Sequence, residues 1–104
     1  MKLKEYMKRA IKKNMPYNLT PEWVHDHMIN GTCEVTGIKF KLQPNNAACN
    51  PFLPSIDRVD SNKGYTRDNC KVVIIGFNIL KSNNSNDEVL KFCKGFVEYY
   101  ENKK

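Results

Sequence analysis

Apolar residues recur at helical spacing from the start of the chain: Leu3, Tyr6, Met7, Ala10 and Ile11, with lysines and Arg9 between them. The pattern predicts an amphipathic helix over residues 1–14, stopped near Asn14 and Pro16. A second helix is predicted over residues 20–30. Thr20 can cap its free amides, Pro21 suits its first position, Leu19 can staple onto Val24, and Asn30-Gly31 ends it. Its buried side should carry Trp23, Val24 and Met28. From Cys33 to Phe40 the period changes, and Val35-Thr36-Gly37-Ile38 reads as a tight turn between short extended pieces. Residues 43–54 hold three prolines and three asparagines, a composition that predicts a loop.

A short strand at Ser55 to Val59 follows, then a loop centred on Lys63-Gly64, an apolar strand starting at Cys70, and a helix through residues 76–81. The last element, residues 85–101, opens on a capping box, Ser85-Asn86-Asp87-Glu88. Its stripe of Val89, Leu90, Cys93, Phe96, Val97 and Tyr100 is expected to lie in the core. Together these elements predict one α+β domain over residues 1–104: two N-terminal helices, a strand–strand–helix core over residues 33–82 and a C-terminal amphipathic helix.

Charge adds a partner class. Seventeen Lys+Arg against eleven Asp+Glu leave a net charge of +6. Residues 1–13 hold six of the cations, Lys2, Lys4, Lys8, Arg9, Lys12 and Lys13, against the single acid Glu5. Such a surface favours a polyanion, nucleic acid before acidic membrane, because neutralising phosphates releases condensed counterions. No apolar run is long enough to cross a bilayer and the N-terminus lacks the apolar core of a signal peptide, so a cytoplasmic protein is expected. Cys33, Cys49, Cys70 and Cys93 form no CxxC pair and read as reduced thiols.

The stretch SIDRVDSNKGYTRDN, residues 55–69, carries the candidate chemistry. A strand bearing Asp57, a polar loop ending at Asn69, a second strand and a helix bearing Asn78 and Lys81 together resemble the metal-binding ββα fold of HNH nucleases (His-Me finger). Asp57 to Asn69 is 12 positions, Asn69 to Asn78 is 9 and Asn78 to Lys81 is 3, which matches that family's spacing. The segments Asn18 to Trp23, Cys33 to Gly37 with Phe40, and Gly64-Tyr65-Thr66 also look like the small HNH-like proteins common in phage genomes. The resemblance implies a DNA endonuclease in a bacterial or phage-infected cell, acting as a monomer or homodimer.

Phosphodiester hydrolysis calls for a hard divalent ion with oxygen ligands, Mg²⁺ or Mn²⁺. Asp57 can supply a carboxylate and Asn78 an amide oxygen. The resemblance implies that Asn69 holds the loop, while Lys81, one helical turn from Asn78, would contact a phosphate from the surface. Lys63 and Arg67 join the N-terminal lysines as expected DNA contacts.

Two features depart from the family pattern. Many HNH proteins pin this core with a structural zinc on two CxxC pairs, but the matching positions here are Cys33, Thr36, Ile74 and Phe77. Zinc is therefore expected to be absent, with Ile74 and Phe77 packed against Val72, the Phe40 strand and the C-terminal helix. The family's general-base histidine is replaced by Arg58, which stays protonated and can clamp phosphate but not accept a proton. The remaining acceptors are bulk solvent, Asp60, His25 and His27, the two histidines reading more readily as surface and packed residues. A base contributes about 10²- to 10⁴-fold, so its loss slows a nuclease without removing its other devices. The alternative function is a weak or inactive HNH-like protein that acts by binding nucleic acid.

Overall fold

In the computed structural model, which describes residues 1–42 and 50–103, the order of elements is α1 (Leu3–Lys12), α2 (Pro21–Met28), β1 (Pro54–Arg58), β2 (Cys70–Ile74), α3 (Ile75–Lys81) and α4 (Asn86–Asn102). The fold is α+β, with four helices around a two-stranded antiparallel ribbon. Most of the loop expected over residues 43–54, with Cys49, lies outside the described residues.

The helix ends follow local chemistry. In α1 only Leu3, Tyr6 and Ala10 of the apolar set turn inward; Met7 and Ile11 are exposed. The Thr20 hydroxyl accepts from the Trp23 amide at 3.1 Å, with Pro21 in the first turn, and α2 buries Trp23. At α4 the capping box is complete: Ser85 Oγ accepts from the Glu88 amide and the Glu88 carboxylate accepts from the Ser85 amide.

The ribbon pairs Pro54 with Ile74, Ile56 with Val72 and Arg58 with Cys70. Alternation sends its two faces into different apolar clusters. Ile56, Cys70 and Val72 pack with Ala10, Leu19, Trp23 and Tyr65 beneath α1 and α2. Val73 and Ile74 pack with Cys33 against Phe40, Phe52 and Phe77. Val72 thus falls in a different cluster from Ile74 and Phe77, not beside them as expected: alternation alone would put Ile74 on the face of Val72, but Ile74 is the last residue of β2, where the chain enters α3, and it packs with Cys33 and Val73.

A two-stranded ribbon has two free edges, and unpaired edge amides recruit other strands unless they are covered. Here side chains cover them. Glu34 sits on the outer edge of β2, where its amide donates to the Val72 carbonyl at 3.1 Å and its carboxylate accepts the Val72 amide at 2.8 Å. On the outer edge of β1, Tyr6 Oη accepts the Ile56 amide, Asn78 Nδ2 donates to the Ile56 carbonyl at 2.9 Å and Lys81 Nζ donates to the Arg58 carbonyl at 2.8 Å. Carbonyls two residues apart on a strand are thereby matched by side chains three apart on a helix, and α3 is fastened along the edge of β1.

The turn at residues 33–38 forms as expected: Gly37 adopts φ 73°, its amide donates to the Cys33 carbonyl, and Thr32 bridges Lys39. Gly64 is required for a different reason. A side-chain carbon there would collide with the Pro16 carbonyl, where the α1–α2 connection runs beside the loop and Tyr17 bridges Tyr65.

The position of the α4 stripe also differs from expectation. Val89 is buried, but Leu90, Phe92, Phe96, Val97, Tyr99 and Tyr100 are all exposed. The helix packs through its first turns only and carries the rest of its apolar face past the body. Periodicity marks the apolar side of a helix; it does not supply a surface to bury it.

Candidate active site

Asp57 occupies β1 on the face opposite Ile56, so it points toward α3 and away from the main core. It is 5% exposed. The Lys81 ammonium lies 2.9 Å from its Oδ2 and is itself 2% exposed. A buried charge needs a partner and further hydrogen bonds. Lys81 has both, the Asp57 carboxylate and the Arg58 carbonyl. This corrects the surface role expected for Lys81: the face of α3 that carries Asn78 and Lys81 is the one fastened to β1, so the lysine is drawn inward and is a positioning residue.

Asn78 donates through Nδ2 to Ser55 Oγ at 2.8 Å and to the Ile56 carbonyl at 2.9 Å. Two acceptors on the nitrogen fix the way the amide is turned and leave its oxygen as the free donor atom. Asp57 and Asn78, 21 residues apart in the chain, line one cavity of about 210 Å³. Arg58 and Arg9 line it too, with Ser61 and Tyr65 from the loop.

Arg58 is held in place rather than free in solvent. NH1 donates to the Lys63 carbonyl at 3.2 Å and approaches Met15 Sδ at 3.4 Å, and the guanidinium lies 4.8 Å from the centre of the Tyr65 ring. Arg9 stands over Tyr6 at 5.0 Å. The spacing of α1 already contains this: Arg9 is one turn from Tyr6 and next to buried Ala10, so it leaves the helix at the border of the packed face.

Asn69 is buried and holds the loop between the strands. Its Nδ2 donates to the carbonyls of Asp60 and Gly64, and its Oδ1 accepts the Asp60 amide at 3.1 Å. It does not line the cavity. Asp60 is used locally, accepting the Asn62 amide at 2.9 Å beyond the end of β1. His27 stacks on Trp23 at 4.2 Å between ring centres and meets Glu34 at 2.8 Å, and His25 is exposed on α2. The cavity is lined by neither histidine nor by Asp60.

The remaining expected phosphate contacts, Lys2, Lys4, Lys8, Lys12, Lys13, Lys63 and Arg67, are all exposed. They are not gathered at the cavity. At the four positions compared with a zinc site, burial pushes the Cys33 thiol up, but bonds from the Thr36 side chain and the Ile74, Val35 and Thr36 amides outweigh it and hold the thiol below its ordinary value. Ile74 and Phe77 complete the packing around it. Cys33, Cys70 and Cys93 are free thiols, and burial first of all raises Cys70 to about 12.

No group of three or more His, Cys, Asp or Glu side chains is placed to hold a metal among the described residues. The Asp57–Asn78 pair offers instead one carboxylate and one amide oxygen, hard donors suited to Mg²⁺ or Mn²⁺, which commonly keep several waters. The ion pair to Lys81 engages only Oδ2. The donor set fits such an ion, although the adjacent ammonium reduces the negative charge that would attract it. Among the described residues no helix is long and apolar enough to cross a membrane. No family model, curated protein or solved structure matches the chain.

Proposed function

We propose that the chain is a divalent-metal-dependent DNA endonuclease of the HNH type, hydrolysing a phosphodiester at a one-metal ββα site. One observation carries the reading: Asp57 on β1 and Asn78 on α3 meet at a cavity that also holds Arg58 and Arg9. Asp57 and Asn78 would hold the metal, which supplies neutralisation of charge developing on the phosphate and leaving oxygen. Arg58, fixed by Lys63 and Tyr65, clamps a phosphate oxygen with its planar fork. Lys81 pairs with the Asp57 carboxylate and orients it. Asn69 maintains the loop that presents Arg58. The exposed lysines of α1 track neighbouring phosphates, giving salt-sensitive binding with little sequence preference.

With neither histidine at the cavity, the proton of the attacking water passes to bulk solvent. Nicking is therefore expected to rise steadily with pH, without the plateau above about pH 6.5 that a histidine base would give. Plasmid nicking in Mg²⁺, Mn²⁺ or EDTA is the primary test. The wild type should nick only with metal, and Asp57→Asn and Asn78→Ala should lose activity while retaining their circular-dichroism spectra. Normal cleavage by both variants, or none by the wild type, refutes the assignment.

A second reading has its own support. Two arginines and one carboxylate line the cavity, with Lys81 behind the carboxylate, so its own charges favour an anion. A binding protein on this scaffold would hold DNA phosphates equally well in EDTA and show no cleavage. Binding that requires metal would exclude it.

A further inference from the structure

The two arginines of the cavity are linked through two tyrosines. The Arg9 guanidinium stands 5.0 Å from the centre of the Tyr6 ring, Tyr6 meets Tyr65 edge-on at 5.3 Å, and the Arg58 guanidinium lies 4.8 Å from the centre of Tyr65. The tyrosine pair is itself fixed: Tyr65 is buried, and Tyr6 Oη shares a hydrogen bond with Ser55 Oγ and accepts the Ile56 amide, both at 3.2 Å. A guanidinium laid on an aromatic face holds its plane and its N–H fork in one orientation, so less freedom is lost when a ligand arrives. The forks are also unspent. The Arg9 side chain makes no hydrogen bond or ion pair among the described residues, and Arg58 uses only NH1, which leaves Nε and NH2.

We propose that Arg9 and Arg58 form a paired clamp for a dianionic phosphate group, the terminal phosphate of a nucleic-acid strand or the free anion, and that the clamp works without metal. This rests on the reading of the cavity as a phosphate site and adds which phosphate it prefers. Arg9, Arg58 and Lys81 against Asp57 leave an excess of two positive charges at the cavity. A terminal phosphate carries about −1.5 to −2 charge near pH 7 and three acceptor oxygens. A diester within a strand carries a single charge and has fewer free oxygens to offer two forks.

A carboxylate ligand would also accept a fork, but its single charge leaves the second arginine unmatched. The exposed lysines of α1 attract any polyanion; they have no fork and do not line the cavity. The preference has a consequence for the proposed reaction. Hydrolysis of a phosphodiester leaves a phosphate monoester on one side of the break, so the clamp would retain the cut end, and inorganic phosphate would compete with DNA for the site.

The test is an NMR titration of the full chain in EDTA at constant ionic strength, following the Nε–H signals of Arg9 and Arg58. Inorganic phosphate should move both signals with one saturating dissociation constant, and dimethyl phosphate, the diester probe, should bind about tenfold more weakly. Arg9→Lys keeps the charge but not the fork, and should weaken phosphate binding about tenfold with the backbone amide spectrum otherwise unchanged. Lys39→Gln, exposed and not at the cavity, should leave binding as it is. An oligonucleotide with a terminal phosphate should displace inorganic phosphate at concentrations where the unphosphorylated strand does not. Displacement by neither strand assigns the clamp to the free anion, whereas displacement by both alike overturns the preference for a dianion. Absence of saturation at either arginine, or an Arg9→Lys variant that binds phosphate like wild type, overturns the clamp itself. A chain that nicks DNA with metal but takes no phosphate in EDTA loses this proposal alone; one that binds phosphate and never nicks loses the proposed reaction alone.

Discussion

The ribbon with α3 and the outer part of α4 invert the usual distribution of side chains. Around the ribbon the protein buries Asp57 of β1, Lys81 of α3 and Asn69 of the connecting loop, whereas α4 leaves Phe92, Phe96, Tyr99 and Tyr100 exposed. The polar residues can be buried because each has its bonds: no buried side-chain nitrogen or oxygen lacks a partner among the described residues. The aromatic residues remain outside because the body ends before the helix does. Burial in this protein is thus decided by available partners and by geometry, with residue polarity a secondary guide.

Stability measurements offer the hardest test of that contrast. Lys81→Met removes the cation beside buried Asp57 and uncovers the Arg58 carbonyl, and should cost about 3–5 kcal/mol in urea unfolding. Phe96→Ser, a change of larger apolar area, should shift monomer stability by less than about 0.5 kcal/mol. Equal effects from the two substitutions would abolish the distinction.

Asn69→Ala probes the polar region without touching a charge. It removes three hydrogen bonds and leaves the Asp60 amide and the Asp60 and Gly64 carbonyls without that partner, for an expected loss of about 2–3 kcal/mol. Because the loop backbone also anchors Arg58 through Lys63, nicking should fall further than folding does. Comparing activity with unfolding under the same conditions separates the two effects.

The smallest effects are expected in α4. Ser85→Ala should cost about 1 kcal/mol and lower helicity by circular dichroism, since the capping box organises the first turn of a helix whose later turns have little tertiary support. Bonds from the Ser85 amide and hydroxyl hold the Glu88 carboxyl below its ordinary value of 4.5. A depressed carboxyl stabilises the folded form above its unfolded value and loses that contribution as pH falls through its folded value. Helicity should therefore decline on acidification below pH 4.5, and the decline should be absent in Glu88→Gln.

Much of the α+β fold was legible because it is written locally. Helix caps at Thr20 and Ser85, the stop of α1 near Asn14, the turn at Gly37 and the strand starting at Cys70 each depend on neighbouring residues. The spacing of Asp57, Asn69 and Asn78 likewise marked side chains that the fold uses, two at one cavity and one in its supporting loop. Lys81 was misread because a lysine on a short helix gives no local sign that a strand carbonyl and a carboxylate await it. The α4 stripe was misread for the complementary reason: a heptad-like pattern is the same whether the covering surface belongs to this chain or to another molecule. Arg9 joined the site through the tertiary placement of α1, although its position beside Tyr6 and Ala10 was a usable clue.

Lys81 is the one lysine buried among the described residues, fastened at once to a strand carbonyl and to the candidate site. An amine-reactive label should modify the other described lysines in the native protein and spare this one until α3 lifts from the ribbon. Its rate of labelling, read peptide by peptide in a mass spectrometer, would make a single ammonium group a clock for the opening of the site.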